Sequence, residues 1–272
     1  MISFTKAHAC GNDFLIVTEE EARDHDRVSL TKRLCARKTG VGADGIEFFA
    51  WTGPKSGRIR LHNADGSVAE ISGNGTRCVA AWMAKQLNAQ AGDELEIETD
   101  AGVRVCRIDD VQSDGRFAVE VTTGMGVPEF EAKNLTILDE QIVEGLVVTT
   151  GNPHFVVMVP DAEFKLAHRS WSSVGAEICT HPDFPNQTNV EFFHVAGPNE
   201  IEIRIWERGV GPTSSSGTGT SASATAAIAL GLAKSPLTVV APGGPQTIAW
   251  SGPGTELYLT GPAALIARGE AY

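Results

Sequence analysis

Ser216-Gly217-Thr218-Gly219-Thr220 runs directly into Ser221-Ala222-Ser223-Ala224-Thr225-Ala226-Ala227-Ile228-Ala229. A similar start occurs once earlier, where Ser72-Gly73-Asn74-Gly75-Thr76 precedes Val79-Ala80-Ala81-Trp82-Met83-Ala84. The copies share the pattern S-G-[NT]-G-T and lie 144 residues apart in a chain of 272, close to half its length. Each reads as a tight glycine turn feeding a buried helix, expected over about 74–87 and 219–232. The second stretch is nearly all small and apolar. It has no face suited to water, so protein must surround it. A helix N-terminus offers unpaired N–H groups and partial positive charge. Two such ends facing each other would hold one small anion, with a side chain on either side.

Working outward, most of the chain reads as short strands separated by Gly, Pro, Asn and Asp turns. In the first half they are expected near 3–7, 14–18, 45–51, 57–62, 94–99, 102–109 and 117–122. In the second half they fall near 142–148, 154–159, 188–195, 200–206, 237–240, 247–250 and 256–260. Two further helices are expected near 30–37 and 167–174. Both halves therefore have one plan, many strands around one buried helix. The Gly124-Met125-Gly126-Val127-Pro128 segment is the best boundary. Residues 1–122 are expected to form the first half and 123–261 the second. Residues 262–272 should return to the first half, because Leu265-Ile266-Ala267 reads as one more strand.

A net charge of −12 argues against a nucleic-acid or membrane-surface role. It says little about a small substrate, since a basic pocket can sit inside an acidic protein. No apolar run reaches the ~18 residues of a membrane helix, and Met1-Ile2-Ser3-Phe4-Thr5-Lys6 does not read as a signal peptide. Cys10, Cys35, Cys78, Cys106 and Cys179 are spaced as neither a disulfide framework nor a zinc site. The expectation is a cytoplasmic protein with no metal.

Six motifs carry a resemblance: Lys6-Ala7-His8-Ala9-Cys10-Gly11-Asn12-Asp13-Phe14, Gly40-Val41-Gly42-Ala43-Asp44-Gly45, Asn63-Ala64-Asp65-Gly66-Ser67, Gly73-Asn74-Gly75-Thr76-Arg77-Cys78, Gly151-Asn152-Pro153-His154 and Glu207-Arg208-Gly209-Val210-Gly211. In this order, across the whole chain, they resemble the diaminopimelate epimerases. The resemblance implies an α/β fold of two pseudo-symmetric halves, each a barrel-like sheet wrapped around a central buried helix, with the site between them. It implies inversion of one α-carbon without a cofactor. One group removes the α-proton, and another returns a proton to the opposite face. In that family both groups are cysteines at the start of the glycine turns. Here those positions hold Ser72 and Ser216.

The exchange matters chemically. A thiol has a pKa of ~8.5 and can be lowered at a helix N-terminus. A serine hydroxyl resembles water, at ~15.7. The gap is ~7 units, or roughly 10 kcal/mol. A helix dipole worth ~0.3–2 kcal/mol does not close it. Serine can then serve only if another group takes its proton. His154 and Glu207 are the candidates.

The resemblance carries over further residues. The reacting carboxylate would rest on the N–H groups of Gly73, Asn74, Gly217 and Thr218, which agrees with the helix-terminus argument. Asn12, Asn63, Asn152, Asn189 and Arg208 would hold the distal amino-acid end, with Gly45 also at the substrate. A guanidinium suits a carboxylate because it donates two parallel bonds. Glu207 and His154 would polarise the reacting end and its amino group. On the residues alone, Ser72 and Ser216 read equally as helix N-caps, the asparagines as turn residues, and His154 as a structural histidine.

Three functions fit. The first is conversion of LL- to meso-diaminopimelate, for lysine and cell-wall synthesis. The second is a divergent isomerase or dehydratase of the same fold with Glu207 or His154 as base. The third is an inactive amino-acid binder with both cysteines changed to serine. Ser214, Ser215, Ser221 and Ser223 make serine the local habit around Ser216, which favours a natural sequence. The partner expected is a small amino acid. No nucleic acid or membrane is expected, and a homodimer is left open.

Overall fold

The computed structural model describes residues 1–69, 71–113, 115–166 and 168–272, with nothing said of the side chain at 139. Contacts divide the chain into two units, Met1–Gly124 with Thr260–Tyr272, and Met125–Leu259.

In the first unit, Ile2–Ala9 and Asn12–Thr18 form an antiparallel hairpin. Its turn takes Cys10 and Gly11 to φ of 50° and 81°, so glycine suits the second position. Asn12–Thr18 pairs parallel with Gly45–Trp51, which pairs antiparallel with Ser56–Asn63. Ser56–Asn63 pairs parallel with Glu94–Thr99, and Gly102–Gln112 and Ala118–Gly124 follow antiparallel. The last strand, Leu257–Ala271, pairs with Ala118–Gly124 and with Ile2–Ala9. That closes eight strands into a ring, leaving no exposed sheet edge.

Helix α1 (Arg27–Cys35) connects the parallel pair Asn12–Thr18 and Gly45–Trp51, and helix α2 (Gly73–Leu87) connects Ser56–Asn63 to Glu94–Thr99. Every residue of α2 from Gly73 to Ala84 is buried. The helix packs into one apolar cluster with Ala7, Ile16, Phe49, Leu61, Ile97 and Val121. A separate cluster joins α1 residues Leu30 and Leu34 to Leu15, Val17, Ile46 and Phe48. The sheet is therefore apolar on both faces, one for each helix.

The second unit repeats this plan. Glu129–Ile137, Gln141–Thr149 and Pro153–Met158 run antiparallel. Pro153–Met158 pairs parallel with Asn189–Gly197, which pairs antiparallel with Glu200–Glu207. The latter pairs parallel with Leu237–Ala241, and Gly244–Trp250 follows antiparallel. Helix α3 (Trp171–Cys179) and helix α4 (Gly217–Ala229) fill the connections. Helix α4 is buried from Gly217 to Ala227 even though Thr220, Ser221, Ser223 and Thr225 carry hydroxyls. Ser221, Ser223 and Thr225 each donate to the carbonyl four residues back, at 2.8–2.9 Å, and Thr220 donates to Gln246 Oε1 at 2.7 Å. No hydroxyl of that group is left unbonded, so the polar atoms tolerate burial. The fold is two units of one topology, each a barrel-like sheet around a central helix.

The third expected helix, 167–174, is displaced. Residue 167 lies outside the described residues. The helix starts at Trp171 because Ser170 caps it, accepting from Ser173 N at 3.3 Å. Likewise α1 begins at Arg27 rather than near 30, capped by Asp26. Strand Glu129–Ile137 was not expected, because Glu129, Glu131, Lys133 and Asn134 break its apolar pattern. Among the described residues, no helix is long and apolar enough to cross a membrane.

Candidate active site

Two strands with related sequences support the helix starts. In the first unit the run is Gly45-Ile46-Glu47-Phe48-Phe49, and in the second it is Asn189-Val190-Glu191-Phe192-Phe193. Side chains alternate across a strand. Ile46 and Phe48 join the cluster of α1, while Phe49 joins that of α2. Val190 and Phe192 join the cluster of α3, while Phe193 joins that of α4. Glu47 and Glu191 thus point with Phe49 and Phe193, toward the central helices.

Each carboxyl meets its helix at the second glycine of the S-G-x-G-T turn. A Cβ on Gly75 would overlap Glu47 Oε1, and the Ser72 Cβ would be 3.3 Å from it. A Cβ on Gly219 would lie 2.7 Å from Glu191 Oε1 and 3.2 Å from the Ser216 Cβ. Position 75 and position 219 need glycine for this close approach. In an ordinary helix, Gly→Ala stabilises by up to ~1 kcal/mol. Here Gly75→Ala is expected to destabilise by ~1–3 kcal/mol through overpacking on Glu47, a sign that thermal melting will read directly.

Ser72 and Ser216 are the N-caps of α2 and α4. Ser72 Oγ accepts from Gly75 N at 3.0 Å, and Ser216 Oγ accepts from Gly219 N at 3.1 Å. The Ser216 hydroxyl also lies 3.3 Å from Thr218 Oγ1. Capping uses one lone pair of each Oγ and leaves its O–H for another partner. Gly73, Asn74, Gly217 and Thr218 form the first turns of the two helices, next to the capped N–H groups of Gly75 and Gly219.

In the first unit, Asn12 and Asn74 are joined, with Asn74 Nδ2 donating to Asn12 Oδ1 at 3.2 Å. Asn12 Nδ2 donates to Asp44 Oδ2 at 2.7 Å. The fully buried Arg77 donates to Asn74 Oδ1 at 2.6 Å and to the Gly73 carbonyl at 3.2 Å. Asn74 is thereby held at both ends of its amide. Gly45 and Asn63 are register partners on adjacent strands. A Cβ at Gly45 would lie 2.7 Å from the His62 carbonyl. Asn63 donates to Ser67 Oγ at 3.0 Å, a bond within its own turn.

In the second unit, His154 Nε2 lies 2.8 Å from Asn152 Oδ1, and His154 Nδ1 lies 2.8 Å from Glu191 Oε1. The His154 and Glu191 side chains are both fully buried. The imidazole bridges the Asn152 amide and the Glu191 carboxyl. Asn189 Oδ1 accepts from Arg208 N at 2.9 Å. The Arg208 side chain is exposed and donates to the Asn186 carbonyl at 3.2 Å. Glu207 ends the strand before it, partly exposed.

Glu47 differs from Glu191 in having no base beside it. Neither of its oxygens has a hydrogen-bond partner among the described residues. Burial pushes its carboxyl up from the ordinary 4.5 to about 8. Burial also pushes Cys106 up to about 11 and Cys35 to about 12, with Cys78 higher still. Those three thiols cannot stand in for thiolates near neutral pH. Glu47 and Glu191 were not among the sequence candidates. One signal was present, since the two E-F-F runs lie 144 residues apart, the same offset as the serines.

The family pattern described as diaminopimelate epimerase matches residues 4–130 and 146–266. The chain is 36% identical to the diaminopimelate epimerase of Moorella thermoacetica, across 98% of both chains. It is 36% identical to that of Pseudomonas savastanoi pv. phaseolicola, across 99% of both. Two solved structures share the fold at low identity. A phenazine biosynthesis protein from Bacillus anthracis gives a TM-score of 0.74 at 16% identity, covering 100% of this chain and 99% of that one. A hydroxyproline epimerase from Agrobacterium vitis gives 0.71 at 14%, covering 98% of this chain and 90% of that one.

Proposed function

Because the chain belongs to the diaminopimelate epimerase family and is an isomerase, we propose that it inverts one α-carbon of diaminopimelate, LL to meso, with Ser72 and Ser216 at the two proton-transfer positions. The observation that carries this reading is the matched pair of serine-capped helix starts. Each offers first-turn N–H groups for a carboxylate and a hydroxyl beside them. Partial positive charge at a helix start stabilises the negative charge that develops as the α-proton leaves.

The relay assigned to Ser216 is the His154–Glu191 couple, whose carboxyl borders the Gly219 position together with the Ser216 Cβ. The His154–Glu191 hydrogen bond joins an imidazole to a carboxyl, two kinds of group able to carry a proton to or from Ser216. Asn152 fixes the ring from its other side. Arg208 is the recognition group for the distal carboxylate, with its backbone anchored on Asn189. Arg208→Ala is expected to weaken diaminopimelate binding about 10–100-fold, the worth of a charged hydrogen bond. It should leave the melting temperature unchanged, since the side chain is exposed. Equal affinity by calorimetry would remove the distal recognition argument.

The function itself is tested by proton NMR in D₂O with LL- and meso-diaminopimelate. Exchange of the α-proton with inversion supports the epimerase. A second reading has one specific observation in its favour, the buried His154–Glu191 couple in the second unit. It is a one-sided isomerase that removes a proton with that couple. Exchange without inversion in the wild type selects it, and binding without exchange selects the inactive binder.

A further inference from the structure

Glu47 is a fully buried carboxyl that the reaction as described does not use. A buried polar group without a partner costs free energy, so its retention calls for an account. Its surroundings are apolar on the strand side, where Ile16 and Leu61 are its register partners. From α2 it meets Gly75, and the thiol of Cys78 lies within its electrostatic reach. No charged group among the described residues pairs with it. The nearest atoms to the missing Gly75 side chain are the Glu47 carboxyl and Ser72 Cβ, so position 75 puts no side chain between them. In the second unit the same position relative to the serine, 25 residues before it in both units, holds Glu191 with His154 attached.

We propose that Glu47 is the proton reservoir behind Ser72, the first-unit counterpart of the His154–Glu191 couple behind Ser216. This rests on the epimerase reading above. Glu47 acts through the serine and is a positioning residue for its proton. When the first unit returns a proton, the Ser72 Oγ–H bond breaks and a C–H bond forms at the α-carbon. The Glu47 carboxyl, held by no hydrogen bond among the described residues, turns across the gap that Gly75 leaves to meet Oγ; its O–H bond breaks, and its proton replaces the one lost from Oγ. The serine ends unchanged, and the negative charge has passed from carbon to the Glu47 carboxylate. In the opposite direction the α-proton goes to Oγ, the Oγ proton goes to Glu47, and the electron pair stays on carbon. The arrangement explains how a hydroxyl of high pKa can serve where a thiol is expected. The two reservoirs differ in kind, a lone carboxyl in one unit and a carboxyl–imidazole couple in the other.

The test compares the wild type, Glu47→Gln and Glu47→Asp as full chains in D₂O, following exchange and inversion of diaminopimelate by proton NMR. Glu47→Gln is expected to lose inversion by at least ~100-fold, the usual worth of one acid–base group. Exchange without inversion, driven from the second unit alone, should survive, and Glu47→Asp should restore part of the inversion. Wild-type kcat/KM should fall above about pH 8, where Glu47 has no proton to give. Inversion at the wild-type rate in Glu47→Gln overturns the proposal. So does an equal loss of exchange and inversion, which marks a structural role. If Glu47→Gln does not fold, the wild-type profile decides, and a flat profile across pH 8 overturns the proposal. A wild type that binds diaminopimelate but neither exchanges nor inverts it removes the epimerase reading, and this proposal with it.

Discussion

Ser72→Cys combined with Ser216→Cys is expected to raise epimerisation by about a thousandfold or more. The substitution swaps hydroxyls of pKa ~15.7 for thiols of ~8.5. If roughly half of that ~7-unit gap is expressed in the transition state, the gain is about 10³. Positioning should be conserved, because a thiol at an N-cap retains the helix start and its first-turn N–H groups. Glu47 and the His154–Glu191 couple then become less important, since a thiolate needs no relay. The measurement is kcat for LL-diaminopimelate in the double variant against the wild type. If the variant folds and binds substrate but gains nothing, the site has diverged beyond its two bases. The one-sided isomerase then becomes the better account.

The second large effect is on stability. Glu47 has its pKa raised from 4.5 to about 8 by burial alone. A group with a raised folded-state pKa contributes stability that is fully present below its unfolded value. That contribution is lost as pH climbs through the folded value. Between pH 4.5 and 8 the unfolded chain ionises this carboxyl while the folded chain keeps it protonated. Stability should fall by up to ~1.4 kcal/mol per pH unit over that window, or about 5 kcal/mol in all. Glu47→Gln lacks this term. Its unfolding free energy relative to the wild type should therefore rise by that amount between pH 4.5 and 8, as urea titrations at the two pH values will read. Parallel curves for the two proteins would show that Glu47 is solvated or paired in solution.

Both predictions depend on residues that the chain announces to different degrees. The serines were legible. A small hydroxyl residue followed by glycine and then by an apolar run is a helix start, because the side chain satisfies an N–H that the helix leaves over. Expected helices at 74–87 and 219–232 correspond to Gly73–Leu87 and Gly217–Ala229. The second ends early at Leu230, where Gly231 takes φ of 70°. The family was legible too, from motif order across the whole chain. The third helix starts at Trp171 rather than near 167, because Ser170 caps it there.

Sequence by itself determined the repeat, the α/β class and the two serine-capped turns, because those follow from local patterns that recur 144 residues apart. It did not determine which way Glu47 and Glu191 point. In Gly45–Phe49 and Asn189–Phe193 both faces of the strand are apolar, so the period-two signal that marks an inner face is absent. Only the sheet closing around α2, with α1 on its other face, sends Ile46 and Phe48 one way and Glu47 and Phe49 the other. Asn189–Gly197 is sorted in the same way between α3 and α4. Only that packing brings Glu47 against Gly75 and Glu191 against Gly219 and His154. A carboxyl's partners lie on other elements of the chain, and burial, which sets the proton affinity of Glu47, is a property of the folded sheet and helix together.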